Sequence, residues 1–364
     1  MEIDRSFAKI HLDNLVFNYN QAKKLVGDSL VMAVVKADAY GHGSIKCARR
    51  LEANGCEYFA VASLAEAMEL REHGVLGNIL IFGRTNPINH CYLSKYDLIQ
   101  TVYSLDYAKK LNTCNETIRI HINIDTGMSR FGLYLHDAHD LYSVVRDIKE
   151  IVELKNLKLE GVYTHFATSD EQEKEFCNRQ YDLFTQLIDS LQASGIDPGI
   201  KHAANSGAII SHPDKYLDMV RFGIGLYGYP HDRSVATFKP VMEVFSTVIS
   251  TRLLNPGDTV SYGRTYKVKK QGRIATIAIG YADGYNRSLT NNDYVLYKNS
   301  VFPVVGRVCM DAIMVDIGNV EVLDGEKVEV FGLNKPLEDM CKALQTIPYE
   351  ILCNVSKRVP RLYN

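Results

Sequence analysis

No stretch of the 364-residue chain approaches the roughly 18 consecutive apolar residues that a membrane-spanning helix needs. The opening MEIDRSFAKIHLD is polar and charged where a secretory signal would be apolar, so a cytoplasmic protein is expected. An excess of positive charge is also missing. Lys and Arg number 41 against 43 Asp and Glu, a formal charge of -2, which removes the electrostatic footprint of a nucleic-acid binder. The eight cysteines stand apart, at Cys47, Cys56, Cys91, Cys114, Cys177, Cys309, Cys341 and Cys353. No CxxC pair and no metal-like cluster occurs, so reduced thiols and no bound metal are the expectation. Composition shows no collagen, coiled-coil or low-complexity bias, with 46% apolar residues and 23% charged. At roughly 100–200 residues per domain, the length suggests two domains.

What is present is alternation. Short apolar, β-rich runs occur at 31–36, 57–62, 78–83, 97–102, 118–125, 159–166, 200–205 and 217–223, with longer amphipathic segments between them. Leu12, Leu15, Val16, Tyr19 and Ala22 recur at helical spacing. So do Leu183, Phe184, Leu187, Ile188 and Leu191, with Ser169 and Gln172 as a capping box before them. Eight strands alternating with helices predict an α/β fold, a (β/α)8 TIM-type barrel over residues 1–236. A doubly wound open sheet is the alternative. From about residue 237 to 364 the texture becomes mostly β, broken by Pro-Gly, Asp-Gly and Asn-containing turns, with one helical stretch near 335–345. This reads as a second, C-terminal β domain.

In such a barrel the chemistry lies at the C-terminal ends of the strands. Lys36 stands at the end of the first run, Arg130 after the fifth and His165 at the end of the sixth. Asn205-Ser206-Gly207 follows the seventh, and Arg221 with Gly223-Ile224 comes with the eighth. Lys36 is either a snorkelling end residue or, once desolvated, an amine able to form a Schiff base. Ser206, Gly223 and Ile224 are either tight-turn residues or the phosphate cradle usual after the last two strands. An amine beside a phosphate cradle suggests pyridoxal phosphate, whose ring nitrogen needs a partner. Arg221 is placed to be that partner, or else pairs with a barrel carboxylate such as Asp218.

Seven segments carry a resemblance: AVVKADAYGHG at 33–43, NIDTGMSRFG at 123–132, YTHFATSD at 163–170, VRFGIGLYG at 220–228, SYGRTY at 261–266, IGYADGY at 279–285 and GRVCMDAIMVDI at 306–317. Together they resemble the alanine racemase family, over essentially the whole chain. The resemblance implies pyridoxal 5'-phosphate carried on Lys36, with its phosphate held by Tyr40, Ser206, the Gly223-Ile224 backbone and Tyr349. Arg221 would face the ring nitrogen, with His165 in the same network. Lys36 and Tyr262 would be the two bases, Tyr262 coming from the second subunit of a homodimer, with His165 and the active-site arginines as candidates for favouring its phenolate. Arg130 and the backbone of Met310 would bind the substrate alanine, with Cys309 and Asp311 beside Met310 and Tyr281 and Arg287 at the entrance. The implied role is supply of D-alanine for peptidoglycan.

One position departs from the family pattern. Many members carry a carbon-dioxide-modified Lys seven residues before the Arg equivalent to Arg130, and here that residue is Asn123. Either an anion such as chloride, or Asn123 alone, would orient Arg130. Three rival readings remain. A serine racemase is disfavoured by Tyr349, which serine-tuned members tend to replace with a smaller residue. Barrel decarboxylases of basic amino acids do not match SYGRTY and CMDAIM. Cofactor-carrying binding proteins on the same barrel lack a β domain.

Overall fold

The computed structural model describes residues 5–364, which divide into two compact units. One comprises Leu15–Ala39 and Ser44–Lys239; the other comprises the segment ending at Asn14, Tyr40–Gly43 and Pro240–Asn364.

The first strand, β1 (Phe7–Ile10), belongs to the second unit. The barrel unit then supplies β2 (Leu30–Val34), β3 (Tyr58–Val61), β4 (Asn78–Ile81), β5 (Ile99–Val102) and β6 (Ile118–Asp125). A two-residue β7 (Leu133–Tyr134) flanks the end of β6, and β8 (Leu157–Tyr163), β9 (Ile200–His202) and β10 (Met219–Phe222) follow. The barrel strands are all parallel and adjacent in chain order, β10-β2-β3-β4-β5-β6-β8-β9. Between β9 and β10 the ring is drawn together by Asp218 N donating to Lys201 O at 3.1 Å and Arg221 N donating to Ala204 O at 2.9 Å. The result is the near-closed eight-stranded barrel that the eight runs predict. They read as continuous apolar segments because parallel strands are covered on both faces.

Outside the strands, Leu15, Tyr19 and Ala22 of the first amphipathic stripe are buried on the helix Leu12–Val26. Leu183, Phe184, Leu187, Ile188 and Leu191 are buried on the helix Glu175–Ala193. The capping box expected at Ser169 and Gln172 does not form, because that helix begins only at Glu175. The Ser169 hydroxyl donates instead to Asn205 Oδ1 at 2.7 Å.

In the second unit the organising strand is β11 (Met242–Leu254). It is followed by β12 (Thr259–Val260), β13 (Tyr266–Lys267), β14 (Gly272–Ile277), β15 (Tyr294–Tyr297), β16 (Ser300–Pro303), β17 (Ile313–Gly318), β18 (Lys327–Phe331) and β19 (Arg361–Tyr363). The first half of β11 pairs with β1 and β18; its second half pairs with β14, which pairs with β17. Register shifts at Val244/Phe245 and Val248/Ser250 let one long strand serve both pairings. The helix expected near 335–345 is Leu337–Leu344, and a seven-residue helix, Pro348–Asn354, follows it.

Candidate active site

Lys36, Asn123, Arg130, Tyr163, His165 and Arg221 line one cavity of about 270 Å³ at the C-terminal ends of the barrel strands, walled by Ala62, Phe82, Gly83 and Phe131. Lys36 follows β2 and opens a left-handed turn. Ala37, Asp38, Ala39 and Tyr40 have φ of 53°, 53°, 53° and 51°. For residues with a Cβ this costs roughly 1–2 kcal/mol each. Such strain persists only where surroundings over-determine it. Here Ala37 N donates to Glu66 Oε1 at 2.8 Å and Ser44 N donates to Asp38 Oδ1 at 2.7 Å.

Arg221 is 3% exposed and has no carboxylate partner among the described residues. Its alternative partner Asp218 pairs with Lys201 at 2.6 Å instead. Nη1 donates to His202 Nδ1 at 2.9 Å and His202 O at 3.1 Å. Nη2 reaches Thr164 O at 2.7 Å, Ala203 O at 2.9 Å and His165 Nδ1 at 3.2 Å. Both terminal nitrogens are thus committed, and among the described residues Nε makes no hydrogen bond. Burial, reinforced by Arg130, pushes the guanidinium down to about 10, so it stays charged at neutral pH. Burial and then Arg221 hold His165 well below the usual imidazole range. A neutral His165 that accepts at Nδ1 must carry its proton on Nε2, so it offers the cavity a donor.

After β9, Ser206 opens the helix Ser206–Ser211, whose N-cap Asn205 accepts from Ala208 N at 3.0 Å. Gly223 N donates to Ser206 Oγ at 2.8 Å and Gly225 N at 3.4 Å, leaving the hydroxyl proton for an outside acceptor. A Cβ on Gly207 would stand 2.7 Å from Ser169 Oγ, so the cup is built on close backbone approach. Ile224 begins the short turn Ile224–Tyr227 behind it.

The loop carrying Arg130 is shaped by Asp125, whose Oδ1 accepts from Gly127 N and Ser129 N, both at 3.0 Å. The Arg130 guanidinium lies 5.2 Å over the Phe131 ring. Asn123 Nδ2 donates to Phe131 O at 2.7 Å, and its Oδ1 is buried with no partner among the described residues.

The other expected residues lie in the second unit. Tyr40 is buried with its ring 5.8 Å from that of Tyr349, and burial raises its hydroxyl far above the ordinary phenol range. Tyr262 lies between β12 and β13 and is 71% exposed, so it is not an aromatic packed on the β domain. Its loop is fixed nonetheless. Ser261, Gly263 and Arg264 have φ of 64°, 70° and 55°, Ser261 Oγ donates to Arg307 O at 2.6 Å, and a Cβ on Gly263 would stand 2.9 Å from the Arg307 guanidinium. Met310 is 52% exposed, and its carbonyl accepts from Ala282 N at 3.0 Å. Asp311 bonds Arg358 at 2.8 Å, and Cys309 Sγ is 3.5 Å from Ser261 Oγ. Among the described residues no His, Cys, Asp and Glu cluster suits a metal ion, and no helix is long and apolar enough to cross a membrane.

Sequence reasoning missed His202 and His121. His121 Nδ1 lies 2.9 Å from His202 Nε2, and Tyr163 stacks on His202 with centroids 4.7 Å apart. The available signal was a histidine within each of two apolar parallel strands, where a polar residue needs a buried partner.

The chain thus combines a near-closed barrel, with Lys36, Arg130 and Arg221 around one cavity at its strand ends, and a mostly β unit. Residues 10–231 match the family described as alanine racemase, N-terminal domain, and residues 241–363 match alanine racemase, C-terminal domain. Alanine racemase 2 of Caldanaerobacter subterraneus subsp. tengcongensis is 40% identical over 375 residues, covering 100% of this chain and 95% of the relative. The solved alanine racemase of Clostridium difficile 630 superposes with a TM-score of 0.94 at 40% identity, covering 100% of this chain and 96% of that one. The alanine racemase of Bartonella henselae, solved with covalently bound pyridoxal phosphate, gives a TM-score of 0.89 at 30% identity over 99% of each chain. The chain belongs to the alanine racemase family and is an isomerase.

Proposed function

We propose that this protein interconverts L- and D-alanine with pyridoxal 5'-phosphate held on Lys36, as a homodimer that supplies D-alanine for peptidoglycan. The observation carrying the reading is that Lys36, His165 and Arg221 line one cavity in which the Arg221 terminal nitrogens are already bonded to the protein.

The residues fit the cofactor. Lys36 offers a primary amine, Arg221 an Nε–H with no protein acceptor among the described residues, and Ser206 a hydroxyl proton released by the amides it accepts. Tyr40, Tyr349 and the Gly223-Ile224 backbone complete the phosphate set by resemblance. When bound, the cofactor supplies a conjugated ring that acidifies the Cα–H of an attached amino acid.

Lys36 Nζ would hold the cofactor covalently and would also move the proton on one face of Cα. Arg221 would face the ring nitrogen without surrendering its proton, since its guanidinium remains charged at neutral pH. By keeping its proton, Arg221 would leave that nitrogen unprotonated and so limit side reactions. Tyr262, supplied by the second copy of the chain, would serve the other face. Its exposure on a pinned loop suits a residue presented to another subunit. His165 is neutral and would favour the Tyr262 phenolate by donating from Nε2, leaving positive charge to the arginines. Arg130 and the Met310 backbone N–H would hold the substrate carboxylate.

Two readouts test this. Borohydride reduction of the loaded protein should fix the cofactor mass on the peptide containing Lys36. The enzyme should racemise alanine well ahead of serine, and Lys36→Ala should abolish both the labelled peptide and the racemisation. Label on another lysine, serine ahead of alanine, or a fully active monomer would contradict the proposal.

A further inference from the structure

Gln180 stands on the helix Glu175–Ala193, outside the cavity, yet it is 0% exposed and both ends of its amide bond to segments that carry site residues. Its Oε1 accepts from Ala167 N at 2.9 Å. Its Nε2 donates to His165 O at 3.1 Å and to Thr126 Oγ1 at 3.3 Å. Thr126 Oγ1 in turn lies 2.6 Å from Thr164 Oγ1, and the Thr164 carbonyl is an acceptor for Arg221 Nη2 at 2.7 Å.

One amide therefore spans two groups that sequence keeps apart. Thr126 opens the turn, shaped by Asp125, that leads to Arg130. Thr164 and His165 form the wall against which Arg221 is set. The same helix presses on the Arg130 turn, since a Cβ on Gly127 would stand 2.8 Å from the Phe176 ring and 3.7 Å from Gln180 Cγ. The amide's orientation is fixed, because only the oxygen can face the Ala167 N–H and only the nitrogen can face the His165 carbonyl. A buried hydrogen-bond network of this kind holds the groups it joins, and removing one member loosens both ends.

We infer that Gln180 is a positioning residue that holds the Arg130 turn in register with the His165–Arg221 wall, and so sets the substrate-carboxylate site against the cofactor-ring site. This rests on the reading of Arg130 as the carboxylate ligand. Gln180→Glu keeps size and the acceptor for Ala167 N but removes both donors. Gln180→Met keeps length and burial without introducing a charge, and decides the matter if the glutamate variant does not fold.

The experiment is a double-mutant cycle on the cofactor-loaded enzyme, with propionate as the probe and its dissociation constant read from the cofactor's fluorescence rather than from turnover. Gln180→Met should weaken propionate about tenfold in the native background and less than about twofold when Arg130 is already Lys, because the two act as one unit. Equal losses in both backgrounds, or no loss in the native background, would overturn the inference. Failure of the native enzyme to racemise alanine would instead remove the functional reading, and the propionate cycle would still report on Gln180.

Discussion

Arg221 Nη1 lies 2.9 Å from His202 Nδ1, and that one contact sets the protonation of the barrel's polar interior. Because the guanidinium is donor-only, His202 must accept at Nδ1 and, being held neutral by burial and by Arg221, must carry its proton on Nε2. That proton is donated to His121 Nδ1 at 2.9 Å. His121 is left with an Nε2–H that has no partner among the described residues. Every dipole in the row points away from the buried cation, which stands in for the missing carboxylate.

Acid should destabilise the barrel. Burial pulls His121 down to about 3, and His165 and His202 lie well below 6.5. In the unfolded chain each would bind a proton near pH 6.5, so the unfolded state takes up more protons as pH falls. Stability is full above pH 6.5 and declines below it, by up to about 1.4 kcal/mol per pH unit for each histidine. Urea unfolding of the barrel should show a lower free energy at pH 5 than at pH 7, and His121→Asn should flatten the slope. Equal stability at the two pH values would refute the neutral row.

Asn123 lines the same cavity as Arg130. With Nδ2 engaged by the Phe131 carbonyl, its unpartnered Oδ1 is an acceptor suited to a guanidinium on the same cavity wall. Activity should be indifferent to added bicarbonate and chloride, while Asn123→Ala should raise KM for alanine roughly tenfold by removing the acceptor offered to Arg130. A several-fold stimulation by chloride would show that an anion orients Arg130.

The two faces of Cα should separate cleanly. Tyr262→Phe should stop net racemisation but let Lys36 exchange the Cα proton of one enantiomer with solvent. Proton NMR of each enantiomer in heavy water would read this, and equal exchange from both would remove Tyr262 as a base.

The left-handed turn after Lys36 predicts an asymmetry at Ala37. Ala37→Val places a β-branched side chain at φ 53° and should cost about 1–2 kcal/mol or more, whereas Ala37→Gly should be neutral or stabilising. Melting temperatures of the two variants would decide, and a valine variant as stable as the parent would contradict the assignment of strain.

Much of this architecture was legible in the chain. The eight apolar runs became strands because a parallel barrel buries both faces, and the residues at their ends, Lys36, Arg130, His165 and Arg221, line one cavity. Non-local contacts were not legible. His121 meets His202 across β8, in a gap that exists because residue 161 is glycine, where a Cβ would stand 2.8 Å from the His121 ring. Ser169 looked like a helix cap, and only the fold reveals that its hydroxyl is spent on Asn205. The strand Phe7–Ile10 joins β11, more than two hundred residues away, a pairing no local pattern encodes.

The most direct test is incubation of the cofactor-loaded enzyme with L-alanine in heavy water. D-alanine carrying deuterium at Cα should form, and should vanish with Lys36→Ala. Loss of the carboxylate, or a bound cofactor with neither exchange nor racemisation, would contradict the account.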